Sequence, residues 1–361
     1  MRAVAVFPER RELRIVEVPP PILQGDHDVL VRVREVGICG TDREITAFHY
    51  GSPAEGRDAL ILGHEVLGEV VEVGAAVGTL KRGDLVAVTV RRPCGESSCA
   101  ACRVEREDFC ATGRFHERGI KGADGFMTEF IVEDERYLVQ VPARLAEVGV
   151  LLEPLTVATK AALEVEMVLK RFPWERHHLR ALVLGAGPIG ILSAMMFAAR
   201  DATTVVYSRE RATGPRADLV RSIKAEYVSA EDTPLEELAA HGGPFNIILE
   251  AVGNARVAFG AMHALAPNGV CVFSGLPAGD QPTTMELNSI MRNIVLENQM
   301  IMGTVNASRA AFQSAVEQLG VFMSLFPESV RSLITDRVSL EEAPELLRNP
   351  SGIKQVLCLA A

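Results

Sequence analysis

The chain has no excess of positive charge, no internal repeat, no low-complexity tract and no flexible linker over its 361 residues. A formal net charge of -10 argues against a nucleic-acid or acidic-membrane partner. The first residues, Met1-Arg-Ala-Val-Ala-Val-Phe-Pro-Glu-Arg-Arg11, lack the longer apolar segment and small-residue cleavage site of a secretory signal, so a cytoplasmic protein is expected. One uncharged run, Ala181 to Ala199, has the length of a membrane span, but three glycines and a proline divide it. No membrane association is expected. With 48% hydrophobic and 23% charged residues the composition lies far from the disordered regime. The length exceeds one ordinary core, so two domains are the default.

The dividing glycines carry the first chemical signal. Ala181-Leu-Val-Leu184 reads as a buried parallel strand, Gly185-Ala186-Gly187-Pro188-Ile189-Gly190 follows, and the apolar run to Arg200 is long enough for a helix. In that context Gly185 permits a tight turn, Gly187 lets backbone approach a pyrophosphate, and Gly190 lets the helix pack closely on the strand. Pro188 fits a first helical turn, where its missing N–H has no intrahelical use. Residues 185–190 are therefore expected to bind a dinucleotide.

Around this stretch the chain divides. Residues 1 to about 155 show short alternating runs between Gly, Pro and Asp, the pattern of an antiparallel barrel or sandwich. A helix is expected from Leu155 to Arg171. Strands are then expected at Thr203–Tyr207, Asn246–Ala251, Gly269–Ser274 and Met300–Val305, which with the first makes a doubly wound parallel sheet. A last strand, Lys354–Leu359, stands apart from that succession and is a candidate to return to the first domain.

An acidic residue about twenty positions after the first glycine selects NAD. Here Ser208-Arg209-Glu210-Arg211 follows Tyr207, and a hydroxyl and guanidinium suit a 2′-phosphate, which favours NADP. Arg209 and Arg211 as solvated loop charges is the competing reading, and Glu210 keeps NAD open.

Seven cysteines include four crowded together, Cys94, Cys99, Cys102 and Cys110, with four, two and seven residues between them. In a reducing compartment this spacing predicts a closed tetrahedral zinc site with a structural role. Cys271 and Cys358 lie in apolar strands and read as core. Cys39 and His64-Glu65 offer a thiolate, an imidazole and a carboxylate, types that zinc accepts at an open catalytic position, although their spacing equally fits core packing.

Gly37-Ile-Cys-Gly-Thr-Asp42, Leu62-Gly-His-Glu-Val-Leu-Gly68, the four-cysteine lobe and Gly185–Gly190 together resemble the zinc-containing medium-chain alcohol dehydrogenase superfamily over essentially the full length. Thr41-Asp-Arg-Glu44, Phe115 to Phe130, Leu152-Glu-Pro-Leu-Thr156, Ala266-Pro-Asn-Gly269 and Gly303-Thr-Val-Asn306 resemble its microbial glucose 1-dehydrogenases. The resemblance implies an α/β protein: a GroES-like β-barrel catalytic domain (1–158, completed by about 307–361) and a Rossmann domain (159–306) with the active-site cleft between them. It implies two zinc ions per chain, NADP or NAD, a sugar substrate and a homodimer or homotetramer, with subunit contacts sought near Leu296 to Val305. It puts Cys39, His64 and Glu65 around a catalytic zinc, with Glu153 as a direct or water-mediated partner; a helix N-terminal charge is the plainer reading of Glu153. Thr41 becomes the proton relay, and Glu117 and Asn306 contacts to sugar or nicotinamide.

Four departures limit the carry-over. The first gap in the cysteine lobe is four residues where two are usual. Val90 and Val157 stand where some relatives carry Asn and Asp. Ser208-Arg209-Glu210 keeps part of a two-arginine clamp, and His49 reads as a surface histidine rather than a relay member. The expected reaction is oxidation of an aldose at its anomeric carbon to the aldonolactone. Polyol, secondary-alcohol or threonine oxidation is the alternative within the superfamily, and a non-catalytic sensor that keeps only the four-cysteine zinc is the alternative outside it.

Overall fold

A computed structural model describes residues 1–173, 178–240, 243–277 and 282–359. They form two units. One comprises Met1–Thr156, Asn306–Leu319 and the chain from Leu333 on, and the other Val157–Val305 with Gly320–Ser332. Ser222 Oγ and Ser329 Oγ, 2.8 Å apart, are one tie that fastens this last segment to the second unit.

The first unit is built on a sheet ordered Leu138–Val141, Leu85–Val88, Glu65–Val73, Asp28–Gly37, Lys354–Cys358, Ile334–Ser339, with Phe130–Asp134 also paired to Asp28–Gly37. Alternation sets its inner face: Val29, Val31 and Val33 are buried while Arg32 and Arg34 are exposed. A register shift between Val33 and Glu35 then turns Val36 inward, where strict alternation would have buried Glu35. Pairing across the sheet sets Gly37 opposite Glu65 on one side and Val356 on the other. The final strand, Lys354–Cys358, thus belongs to this sheet and runs antiparallel to Asp28–Gly37.

The second unit holds six parallel strands ordered Glu226–Ser229, Thr203–Ser208, Arg180–Leu184, Phe245–Glu250, Leu265–Phe273, Met300–Gly303. In chain order this is 3-2-1-4-5-6, the dinucleotide-binding arrangement. One of these strands, Glu226–Ser229, escapes a reading by apolar pattern because it has four residues, begins with an exposed glutamate and lies at the sheet edge. The long helix runs Leu152–Leu169, three residues earlier than its apolar pattern suggests, because Glu153-Pro154 form its first turn. The uncharged run splits into strand Arg180–Leu184 and helix Pro188–Ala198, and among the described residues no helix is long and apolar enough to cross a membrane. Cys271 is fully buried in the sheet core, as its apolar strand implies.

Candidate active site and metal centres

Cys39 caps helix Gly40–Thr46, and its amide donates to Asp42 Oδ2 at 2.8 Å. Asp42 is completely buried, and its other oxygen lies 3.4 Å from His64 Nδ1. Burial works to raise the Asp42 carboxyl, but the His64 charge and the Cys39 amide hold it below the ordinary value. Burial works to lower His64, yet Asp42 and Cys39 outweigh it and raise the imidazole well above its usual range. Donor atoms of Cys39, His64 and Glu65 all lie within 4.8 Å of one another. Thr41 sits in the same first helical turn, partly exposed, and His49 is exposed.

Glu65 is buried against Lys354, with which it forms an ion pair, and Lys354 Nζ also donates to the Ile38 carbonyl at 2.9 Å. Gly37 makes room for this pair, since a Cβ there would fall 2.1 Å from Glu65 Oε2. Glu153 belongs to the same electrostatic neighbourhood. Burial lifts its carboxyl to about 7, with Glu65 and Asp42 adding to the rise and His64 and Lys354 opposing it. Three carboxyl groups and a thiol surround one imidazole and one ammonium. That imbalance, together with a soft thiolate beside an imidazole held by a carboxylate, is the chemistry of a divalent zinc centre. Cys39, His64 and Glu65 fit as its ligands, with Glu153 nearby. Asp42→Asn should weaken zinc binding about 10–100-fold, measured by zinc titration of the metal-free protein.

The four lobe cysteines also converge, with each offering a sulfur within 4.8 Å of the others. Cys99 and Cys110 Sγ are 4.0 Å apart and all the cysteines are free. Four thiolates at about 2.3 Å from one zinc would stand about 3.8 Å apart, whereas a disulfide needs about 2 Å. The geometry fits zinc. The extra residues in the first gap are taken up by a turn in which the Cys99 amide donates to the Glu96 carbonyl. Burial pushes the Cys102 thiol up to about 12, while the Thr112 hydroxyl and amide bring Cys110 down to about 6 against its own burial.

In the second unit Gly185 adopts φ 104°, and Gly187 caps helix Pro188–Ala198. A Cβ on Gly187 would meet nothing within 4 Å, which is the open face that a pyrophosphate needs. On Gly190 it would meet the Gly185 carbonyl at 2.0 Å. The close approach that requires this glycine is therefore to the loop as well as to the strand. Ile189 lies in the first turn, its carbonyl accepting from Ser193 Oγ. Ser208 ends its strand partly buried and Arg209 is exposed, while Arg211 pairs with Glu231 at 3.2 Å. Arg216, given no role by the sequence, reaches back to donate to the Ala186 carbonyl at 3.0 Å and lies 3.4 Å from Glu210.

Glu117 and Asn306 meet although 189 positions separate them: Asn306 Nδ2 donates to Glu117 Oε1 at 3.0 Å. Asn306 holds a left-handed conformation, φ 59°, that asparagine tolerates. Val90 is buried in the core, its carbonyl accepting from the amide of Arg118, next to Glu117, at 3.0 Å, and Val157 is partly buried in the long helix. Asp42, Lys354 and Arg216 are the neighbours that apolar pattern and motif spacing do not single out. Asp42 had a signal, a cap-and-carboxylate spacing from Cys39; Lys354 had none.

Comparison with known proteins agrees with these features. Residues 25–143 match the alcohol dehydrogenase GroES-like domain, and residues 146–359 match the glucose dehydrogenase C-terminus. A glucose 1-dehydrogenase of Methanocella arvoryzae is 34% identical over 358 residues, covering 99% of each chain. One from Thermoproteus tenax is 37% identical over 349 residues, covering 96% of this chain and 95% of its own. The solved glucose dehydrogenase of Haloferax mediterranei, in complex with NADP, Zn and gluconolactone, superposes with a TM-score of 0.90 at 32% identity over 100% of both chains. With both halves matched, and with two zinc-fitting clusters and a dinucleotide loop in place, the chain belongs to the glucose dehydrogenase family of zinc-dependent alcohol dehydrogenases.

Proposed function

We propose that the protein oxidises an aldose, glucose foremost, at its anomeric carbon to the aldonolactone with reduction of NADP. The carrying observation is the cluster of half-buried Cys39 with buried His64 and Glu65, in a chain alike from end to end to an enzyme solved with NADP, Zn and gluconolactone. Bound zinc supplies Lewis-acid polarisation that lowers the pKa of the reacting hydroxyl, and bound NADP supplies the hydride acceptor. The residues do the rest. Cys39, His64 and Glu65 hold the metal, Asp42 orients the imidazole, and Glu153 adds a carboxylate directly or through water. Thr41 Oγ1 takes the hydroxyl proton and passes it toward solvent. Glu117 and Asn306 hold sugar hydroxyls, and Gly187 to Gly190 cradle the pyrophosphate. Two functional halves follow, with the metal and most of the sugar contacts on 1–158 and about 307–361, and the cofactor together with Asn306 on 159–306. Initial rates on glucose, galactose and xylose against polyols and threonine, with each cofactor, test the reading. A preference for a polyol or amino alcohol would replace it.

We assign the 2′-phosphate of NADP to Ser208, Arg209 and Arg216. Arg216→Ala should raise KM for NADP about tenfold while leaving NAD nearly unchanged, the loss of one charge-assisted contact. Equal loss for both cofactors would reduce Arg216 to a brace for the glycine loop.

The enzyme is proposed to be cytoplasmic, because four thiols arranged for a metal suit a reducing compartment. It is proposed to be a homodimer. Leu287, Met291 and Val295 stand four residues apart on one face of helix Leu287–Leu296, each about 60% exposed or more, and strand Met300–Gly303 ends the parallel sheet with an edge left open among the described residues. Met291→Asp should shift the protein to a monomer in light scattering.

A further inference from the structure

Arg91 is a buried cation outside the metal clusters. Only 5% of it is exposed, and it stands opposite Glu117, equally buried, in the pairing of Arg91–Arg92 with His116–Arg118. Its Nε and Nη2 both donate to Glu117 Oε1, at 3.1 and 3.0 Å. Its Nη1 turns the other way and donates to the carbonyls of Asp108 at 3.1 Å and Glu107 at 3.4 Å. The guanidinium carbon lies over the Phe115 ring, 3.8 Å from its centroid. Glu107 and Asp108 lie between Cys102 and Cys110, so one rigid side chain bridges the four-cysteine lobe and a carboxylate of the proposed sugar subsite.

We infer that Arg91 is a positioning residue through which the folded four-cysteine lobe sets the orientation of Glu117 for the sugar. The inference rests on Glu117 contacting sugar. Glu117 Oε1 already accepts three donors, two from Arg91 and one from Asn306, whereas Oε2 accepts none among the described residues. One oxygen is consumed by the clamp and the other is presented. The planar fork of arginine is what makes this possible, because it offers two donors to a carboxylate and a third in the opposite direction from a fixed plane. Lysine in the same place has a single flexible ammonium and cannot span both. By linkage, if the lobe orders Glu117 for sugar, sugar must in turn order the lobe.

The test uses the zinc-loaded enzyme. Arg91→Lys and Arg91→Met should raise KM for glucose about tenfold or more, with KM for NADP within twofold of wild type and two zinc ions retained. Glu117→Gln should raise KM for glucose by itself, and adding Arg91→Met to it should raise KM little further, since Arg91 acts through Glu117. Gluconolactone with NADP should slow hydrogen exchange of residues 102–110 several-fold in wild type and not in Arg91→Lys. If Glu117→Gln leaves glucose KM unchanged, the sugar role of Glu117 falls and the inference with it. If Glu117→Gln raises KM but the two effects simply multiply, or the lactone protects the lobe equally in Arg91→Lys, Arg91 is a structural brace and the inference alone is overturned. Should Arg91→Met fail to fold, Arg91→Lys with and without Glu117→Gln carries the same comparison.

Discussion

Cys39→Ala is expected to abolish glucose oxidation while leaving NADP binding intact. The thiolate is the softest donor in its cluster, and what remains is an imidazole and a carboxylate already paired with Lys354. Loss of the metal removes the polarisation of the reacting hydroxyl, worth several kcal/mol, and about 4 kcal/mol is already close to a thousandfold in rate. Zinc content should fall from two to one per chain, because the lobe's four thiols are independent of Cys39. NADP affinity, read by fluorescence titration, should not change, since residues 185–190 and Arg216 belong to the other unit. A Cys39→Ala enzyme with wild-type turnover would sink the zinc assignment. His64→Ala should behave alike.

The second large effect is expected at Lys354→Met. Lys354 and Glu65 are 2% and 1% exposed in their side chains, and removing one partner of a buried pair strands the other as an uncompensated charge. The cost should be about 3–5 kcal/mol in the metal-free protein, measured by chemical denaturation. A divalent ion beside Glu65 would replace the missing positive charge, so zinc should recover much of the loss. The size of that recovery separates two roles for Glu65. Large recovery means the carboxylate serves the metal; a loss unchanged by zinc means it serves the fold alone.

The legible part of this molecule was local. The parallel strand, the glycine turn and the helix after it could be read because each is encoded within about six residues: Gly185 needs its positive φ, Gly190 has no room for a Cβ, and Pro188 opens a helix. The four-cysteine lobe was equally legible, since all four sulfurs come from a single short loop. Secondary structure was lost where local pattern was weak, as at Glu226–Ser229, whose place at the sheet edge asks little of its side chains.

By itself, the sequence determined the fold class, the dinucleotide turn, the thiolate cage and the donor types available to a second metal. Only the tertiary structure decided which charges those donors would live among. Lys354 meets Glu65 because two strand registers converge on Gly37, and Arg91 joins the lobe to Glu117 because a guanidinium can bond in two directions at once. These pairings span tens to hundreds of residues. No periodicity records them, because burial and Coulomb energy depend on distance in space and not on distance along the chain.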